Sequence, residues 1–154
     1  MIKIEYLSDF PEFAETVAGW LYEEFVVGQR AGVTYENVLR NVKNTNKAAL
    51  PIRLIAIFED SCVGTISIVY NDLRCRTYTP WLASLYVSPP YRKNKIGEQL
   101  VKRVIEIVKS LGYGELYLRT EYTGNYYRNR NWQYVETCMD DVYQFETEVF
   151  MLHL

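Results

Sequence analysis

Three cationic side chains lie within four residues of one another in a 154-residue chain. Arg92, Lys93 and Lys95 separate a strand-like run, residues 81–87, from a long amphipathic pattern that begins at residue 96. The start of a helix leaves its first backbone N–H groups without partners and carries partial positive charge. The turn is therefore a candidate phosphate site at the carboxyl end of a strand, where open α/β sheets usually bind ligands.

The same turn, taken alone, has a simpler interpretation as a basic helix entrance that faces solvent. Short turns that contain glycine and lysine match phosphate motifs by accident. The chain contains neither G-x-G-x-x-G nor G-x-x-x-x-G-K-S/T. Two familiar nucleotide-binding loops are thereby excluded, and local spacing does not decide between anion binding and simple exposure.

The residues on both sides of the turn favour anion binding over simple exposure, because they resemble a known motif. Residues 87–100 read VSPPYRKNKIGEQL. They resemble Q/R-x-x-G-x-G/A preceded by V-x-P-x-Y/W, the coenzyme A pyrophosphate motif of the GNAT superfamily of N-acetyltransferases. Arg92 and Gly97 occupy the first and last positions, whereas Lys95 stands at the middle glycine.

A second segment lies at the spacing that this family shows. Residues 123–132 read TGNYYRNRNW and resemble A-x-x-F-Y-x-x-x-G-F/W/Y, with Tyr126, Tyr127 and Trp132 on matching positions. Thr123 replaces the alanine and Asn131 replaces the glycine. The resemblance covers nearly the whole chain and is weakest before residue 51.

The resemblance implies binding roles on both sides of the turn. The backbone of three strand residues would pair with the pantetheine arm of acetyl-CoA, where the family's parallel strands splay apart: Leu85, Tyr86 and Val87. The pyrophosphate would lie against the turn and the helix start, on Arg92, Lys93, Asn94, Lys95, Ile96, Gly97 and Glu98. Asn125 would either bond the pantetheine or cap its own short helix.

Lys95 departs from the family pattern. Because a Cβ atom disfavours positive φ, either Lys95 adopts negative φ or this turn differs slightly from the family's. Its ammonium group would lie near the coenzyme's phosphates or face solvent, and the sequence leaves both open.

Tyr127 is the candidate catalytic residue. The resemblance implies that its phenol protonates the departing coenzyme A thiolate, and a group with a pKa near 10 can do so. Without the family, aromatic residues at this spacing are more typical of a core, and we assign Tyr126 and Trp132 to the core. The general base is Asp72, Glu121 or water.

Two weaker candidates complete the set of reactive side chains. Ser84 could orient a water molecule, and His153, the only histidine, lies in the last predicted strand, where a structural role is favoured.

Composition limits the partners, metal sites and cellular location that the chain can be expected to have. A formal charge of −2 argues against general nucleic-acid binding. The cysteines Cys62, Cys75 and Cys138 are odd in number and form no C-x-x-C pair, so no metal site or disulfide framework is predicted. Neither a signal-peptide layout nor an apolar run of membrane length occurs. We expect a cytoplasmic protein without a membrane partner. The sequence does not decide between a monomer and a homodimer.

Strands and helices alternate along the chain without a linker or repeat. Apolar runs and alternations predict strands at 2–7, 52–58, 63–70, 81–87, 116–120, 134–137 and 148–154. Helical spacing predicts helices at 9–25, 35–42, 96–111 and 125–129. The strand–helix–strand order at 81–120 predicts a parallel pair. We predict an α/β (α+β) GNAT fold in a single domain over residues 1–154, with about six to seven strands in a mixed sheet and about four helices.

The sequence thus predicts an acetyl-CoA-dependent N-acetyltransferase in which a primary amine attacks the thioester directly. The alternatives are a non-catalytic acyl-CoA-binding module and a structural domain with an empty cleft. The resemblance implies that the loop at 25–35 and the loop between the last two strands flank the acceptor entrance. Carboxylates near that entrance favour a cationic small molecule or basic peptide: Glu23, Glu24, Asp72, Glu121, Asp140, Asp141, Glu146 and Glu148. Arg30, Arg74 and Arg76 on neighbouring loops could instead select an acceptor that bears a carboxylate.

Overall fold

The computed structural model describes all 154 residues, which form one seven-stranded sheet with helices on both faces. The strands are β1 (Lys3–Tyr6), β2 (Ile52–Phe58), β3 (Ser61–Val69), β4 (Trp81–Val87), β5 (Glu115–Thr120), β6 (Gln133–Met139) and β7 (Glu146–His153). The helices are α1 (Ala14–Leu21), α2 (Tyr35–Lys43), α3 (Ile96–Ser110) and α4 (Gly124–Arg128). Sheet order is β1-β2-β3-β4-β5-β7-β6. The predicted fold class is confirmed.

The centre of the sheet opens between β4 and β5. These two strands form the only parallel pair, as predicted, and they align at a single position, Trp81 opposite Tyr117. The antiparallel neighbours β5 and β7 align at six positions, from Glu115 to Thr120. Beyond Trp81, β4 therefore turns one backbone edge towards a gap instead of towards β5.

A β-bulge bends β4 where the gap opens. Thr65 lies opposite Tyr86 and Ser67 lies opposite Ala83, so two residues of β4 face one residue of β3. Ser84, within this bulge, has a φ of 53°. Bulges disrupt the ladder and redirect the strand, which separates the end of β4 from β5.

The two faces of the sheet bury different sets of side chains. Helix α3 packs on one face through a stripe that includes Ile96, Leu100 and Val104, against β-strand residues such as Leu116 and Leu118. Helices α1 and α2 cover the opposite face of β2 and β3. Because side chains alternate along a strand, odd-numbered residues of β5 point away from α3.

The N-terminal helix differs from the prediction. Instead of one helix over residues 9–25, the chain forms short 3₁₀ turns at Leu7–Asp9 and Pro11–Phe13, then α1, then one π-helical turn at Tyr22–Val26. The non-helical backbone of Phe10 interrupts the helix, with φ −136° and ψ 60°. Apolar periodicity persists across such breaks, since short turns keep the buried face aligned, and so it overestimates helix length.

The segment from 71 to 80, which connects β3 to β4, folds onto the sheet. Leu73 is 1% exposed and packs with Trp81 and Val149. Tyr78 stacks on Tyr117 with ring centres 4.9 Å apart. The loop thereby covers the start of the gap between β4 and β5 on the face of the sheet opposite α3.

None of the helices combines the length and apolarity that crossing a membrane requires.

Candidate active site

The turn between β4 and α3 presents a row of free backbone donors. No backbone N–H group from Lys93 to Glu98 donates a well-formed hydrogen bond to another protein group, and the ladder of α3 starts with Gln99 N–H to Lys95 O. Hydrogen-bond donors at a helix start favour anions, and the helix dipole adds to the effect. The geometry of the turn is that of an anion cradle.

Two left-handed residues shape this cradle. Lys93 has a φ of 69° and Lys95, the residue before α3, has φ 61° and ψ 20°. Of the two alternatives left open for Lys95, negative φ is wrong: the lysine adopts the left-handed conformation for which glycine is usually chosen. Left-handed residues within a turn make successive N–H groups converge into an anion-binding nest.

A cavity of about 310 Å³ opens at this turn. Six of the predicted binding residues of the turn line it, together with Val87 at the end of β4: Arg92, Lys93, Lys95, Ile96, Gly97 and Glu98. Asn94 does not line it, because its side-chain amide donates to the carbonyl oxygens of Tyr91 (3.1 Å) and Arg92 (3.3 Å). Asn94 thus holds the turn in shape.

Sequence reasoning missed two aromatic walls of this cavity, Tyr91 and Tyr126. Tyr126 was assigned to the core, which is wrong: it is 41% exposed, and the Arg130 guanidinium lies 3.6 Å from its ring centre. The helical position of Tyr126, next to the buried side of α4, could not be distinguished from a core position by spacing alone.

The backbone edge predicted to bind pantetheine is available on one side. Tyr86 and Val87 pair with Thr65 and Gly64 of β3, whereas β5 has already diverged at this level of β4. Leu85 lies inside the bulge. The edge of β4 that faces the gap can therefore accept an added strand-like ligand.

Tyr127 is half-buried, and its ring packs against the core cluster on the α3 face of the sheet. Its ring meets Trp132 edge-on at 6.0 Å and lies 6.1 Å from Phe150. Trp132, 6% exposed, is a core residue as predicted. Burial raises the pKa of the Tyr127 phenol above its ordinary value, so the hydroxyl holds its proton throughout the neutral range.

Asn125 does not cap its helix. Helix α4 begins at Gly124, and Asn125 lies inside its first turn. The Asn125 side-chain oxygen accepts a hydrogen bond of 3.2 Å from Arg128, which also pairs with Glu148 at 2.9 Å. The capping interpretation is therefore wrong, and pantetheine binding by Asn125 stays a prediction.

A second cavity, of about 230 Å³, lies on the α1 and α2 side of the sheet. Its lining joins the α1–α2 loop, the β3–β4 loop, β5 and the β6–β7 loop: Arg30, Asn71, Asp72, Arg74, Arg119, Asp140, Val142 and Tyr143. Arg119 lies two residues beyond Tyr117, the last aligned position of β5 with β4. This cavity thus sits where the gap between the two strands begins, across the sheet from α3.

Arginines pair with four of the eight carboxylates that were expected to attract a cation. Asp140 pairs with Arg119 at 2.5 Å and Asp141 pairs with Arg74 at 3.0 Å. Asp140 also accepts from the backbone N–H groups of Val142 and Tyr143. These contacts stabilise the β6–β7 loop, and they leave those two carboxylates little capacity for a substrate.

The two carboxylates named as base candidates have different surroundings, and the only histidine lies apart from both. Glu121 accepts a hydrogen bond of 2.8 Å from the Thr147 hydroxyl and lies 3.9 Å from Arg119. The Asp72 carboxyl has neither a hydrogen bond nor an ion pair, and burial raises its pKa to about 6. His153 is exposed at the far end of β7, opposite Glu115. Asp72 is therefore the carboxylate most available to a molecule in this cavity.

Known proteins with the same architecture are diverse in sequence. An aminoglycoside 6'-N-acetyltransferase complexed with coenzyme A matches with a TM-score of 0.76 at 17% identity, over 99% of this chain and 96% of that one. A GNAT-family acetyltransferase from Staphylococcus aureus Mu50 matches with a TM-score of 0.74 at 18% identity, over 100% of this chain and 99% of that one. An aminoglycoside 6'-acetyltransferase type Ii matches with a TM-score of 0.73 at 20% identity, over 99% of this chain and 96% of that one. No curated protein sequence is significantly similar to the chain.

The sequence profile of the Acetyltransferase (GNAT) family matches residues 11–133. That segment contains the anion cradle before α3, the gap between β4 and β5, and Tyr127. The chain belongs to the GNAT family of acetyltransferases and is an acyltransferase.

Proposed function

We propose that the protein transfers an acetyl group from acetyl-CoA to a primary amine by direct attack. The observation that carries the proposal is the row of free N–H groups from Lys93 to Glu98, placed at the carboxyl end of a strand whose outer edge is unpaired. A pyrophosphate fits the first feature, and an amide-containing arm fits the second.

Charge at the cradle supports binding of a polyanion. Arg92, Lys93 and Lys95 all line the same cavity as the free N–H groups. Glu98 is the one carboxylate of that lining, and its side chain lies 3.9 Å from Arg130. The net positive field would hold the coenzyme's phosphates, while Asn94 keeps the turn in its binding shape.

The chemistry follows from groups on the two sides of the gap. The lone pair of an uncharged amine forms a C–N bond to the thioester carbonyl carbon. As the tetrahedral intermediate collapses, the C–S bond breaks and Tyr127 donates its proton to the leaving thiolate. The amine's surplus proton passes to Asp72, Glu121 or water. Solvent then returns a proton to Tyr127, so each turnover leaves the enzyme unchanged.

The acceptor's amine is the cationic group that we assign to the second cavity. Among the carboxylates that line it, Asp72 lacks an arginine partner, so an ammonium group would be attracted to that side chain. Two structural neighbours are named for aminoglycosides; in this chain the lining of the cavity offers one carboxylate without an arginine partner to such a cationic amine. A cationic small molecule or the amine of a basic peptide fits this description.

Two measurements test the proposal. Calorimetric titration with coenzyme A should show binding that weakens as salt is added, because cations meet a polyanion. Thiol release from acetyl-CoA should then be followed with a polyamine, an aminoglycoside, a lysine peptide and an acidic N-terminal peptide. Binding without turnover on any amine would favour a non-catalytic acyl-CoA-binding module. Absence of coenzyme A binding would exclude both functions.

A further inference from the structure

The second cavity contains two charged side chains of opposite sign that have no ion-pair partner. Arg30 enters from the α1–α2 loop and Asp72 from the β3–β4 loop. The other charged side chains of the lining belong to the arginine–carboxylate pairs described above. A buried or half-buried charge is costly unless something pairs with it, so these two groups are the ones suited to a ligand.

Arg30 is held in place without its charge being satisfied. Its guanidinium lies 4.5 Å from the centre of the Tyr143 ring, which joins the α1–α2 loop to the β6–β7 loop. No carboxylate forms an ion pair with Arg30. Stacking on an aromatic ring leaves the N–H groups at the edge of the guanidinium plane free, and this edge matches a carboxylate in a bidentate arrangement.

Asp72 is fixed through its backbone. Arg119 donates a hydrogen bond of 3.0 Å to the Asp72 carbonyl oxygen, while the carboxyl of Asp72 stays without a partner. The charges of Arg119 and Arg30 both act on this carboxyl and favour its ionised form, and Glu121 and Asp140 oppose them. The charges of Arg30 and Asp72 therefore interact across the cavity, although the two side chains form no ion pair.

The cavity that holds both groups has a volume of about 230 Å³ and opens to solvent. A molecule of amino-acid size fits that volume. Because the two side chains do not contact each other, one such molecule can place a positive group at Asp72 and a negative group at Arg30.

We propose that the acceptor is a small amine that also carries a carboxylate, with the amine directed to Asp72 and the carboxylate bound by Arg30. The inference rests on the proposed acetyl transfer; it keeps the cationic amine at Asp72 and narrows the acceptor to one that also carries a carboxylate. In this arrangement Arg30 determines specificity and takes no part in bond making. Asp72 orients the amine at the place where the gap between β4 and β5 begins.

Matched acceptors test the carboxylate requirement. Thiol release is measured with β-alanine against its amide, with γ-aminobutyrate against its amide, and with L-lysine against cadaverine. The acid of each pair should have a kcat/KM at least about tenfold higher, because a site built to pair with a polar group rejects the analogue that lacks it. Arg30→Gln should abolish the preference by raising KM for the acid, with little effect on the amide. Arg40→Gln, on the exposed face of α2, serves as the matched control.

Direct binding separates this inference from the acetyl transfer on which it rests. Ligand-observed NMR with coenzyme A-saturated protein reports binding of each acid and amide. If turnover is equal within every pair, or if Arg30→Gln keeps the preference, the inference is overturned and acetyl transfer stands. If no amine is turned over but the acids bind and Arg30→Gln abolishes that binding, the Arg30–Asp72 binding site for such molecules is supported and the proposed acetyl transfer is excluded. If the acids neither bind nor react, the inference is overturned.

Discussion

The Nε atom of Arg92 donates a hydrogen bond of 2.8 Å to the carbonyl oxygen of Val87. The same guanidinium lies 5.3 Å from the centre of the Tyr86 ring. One side chain thus connects the turn that presents free N–H groups to the end of the strand that presents a free edge. Arg92 has a positioning role in addition to the charge that the motif implies.

Arg92→Glu should weaken coenzyme A binding by several-fold or more, since it reverses a charge at the cradle and removes the bond to Val87. Calorimetry at two ionic strengths measures the effect, and the gap from wild type should narrow as salt screens the charges. Lys102→Glu makes the same charge change on the exposed face of α3 and should bind coenzyme A nearly normally. An unchanged affinity for Arg92→Glu would remove this turn from the binding site.

Tyr127→Phe should lower turnover by about 10²-fold or more, as expected for loss of a general acid, while coenzyme A affinity stays near wild type. The ring that packs against Trp132 and Phe150 is kept. Tyr134→Phe, which removes an exposed hydroxyl bonded to Thr137, is the control. Full activity of Tyr127→Phe with a good acceptor would assign Tyr127 to the core and the protonation to another group.

The raised pKa of Tyr127 also has a kinetic consequence. Because burial favours the protonated phenol, the acid should remain functional above pH 10, the ordinary pKa of tyrosine. A pH–rate profile that falls on the alkaline side well below that pH would contradict general-acid catalysis by Tyr127.

Asp72→Asn should lower activity and raise stability. Burial moves the carboxyl pKa from 3.8 to about 6, so the folded state binds this proton more tightly than the unfolded state does. Stability is therefore lost as pH rises from about 4 to about 6, and the ionised carboxylate costs up to about 3 kcal/mol above that range. The variant should gain more in Tm at neutral pH than at pH 4.

The kinetic part of that prediction concerns the proton that the amine loses. If Asp72 accepts it, kcat/KM of the wild type should have a rising limb near pH 6, and Asp72→Asn should lack this limb. Asp60→Asn, at an exposed turn residue with a φ of 67°, is the control for removal of a carboxylate. A variant that keeps the limb would leave Glu121 or water as the base.

Lys95→Gly and Lys95→Ala separate backbone conformation from charge. Both remove the ammonium group and should weaken coenzyme A binding equally. Because Lys95 has positive φ, glycine should be more stable than alanine there by about 1 kcal/mol. Chemical denaturation measures this difference. Equal stability of the two variants would show that the residue leaves the left-handed region in solution.

Much of the site could be predicted from local sequence. The cradle needs only a strand end, a basic turn and a helix start, and these are neighbours in the chain; six of the seven predicted turn residues line one cavity. The φ of Lys95 could not be predicted, because its conformation is imposed by the joining of β4 to α3 against the normal preference of a residue with a Cβ.

Contacts between distant segments decide which charges remain unpaired around the second cavity. The acidic loop between β6 and β7 suggested a surface that attracts cations, but its Asp141 pairs with Arg74, 67 residues earlier in the chain, and its Asp140 pairs with Arg119 of β5. Which carboxylates are neutralised depends on where the β3–β4 loop folds, and no local pattern records that.

The sequence by itself determined the order and type of the elements, because apolar periodicity and turn residues act over a few positions. It also determined the location of the anion cradle, because the strand end, the basic turn and the helix start that form it are neighbours in the chain. The tertiary structure alone decided that Arg30 and Asp72 share a cavity without a partner, since their approach requires the α1–α2 and β3–β4 loops to meet over the gap in the sheet. Long-range packing, unlike helix and strand formation, has no periodic signature in the chain.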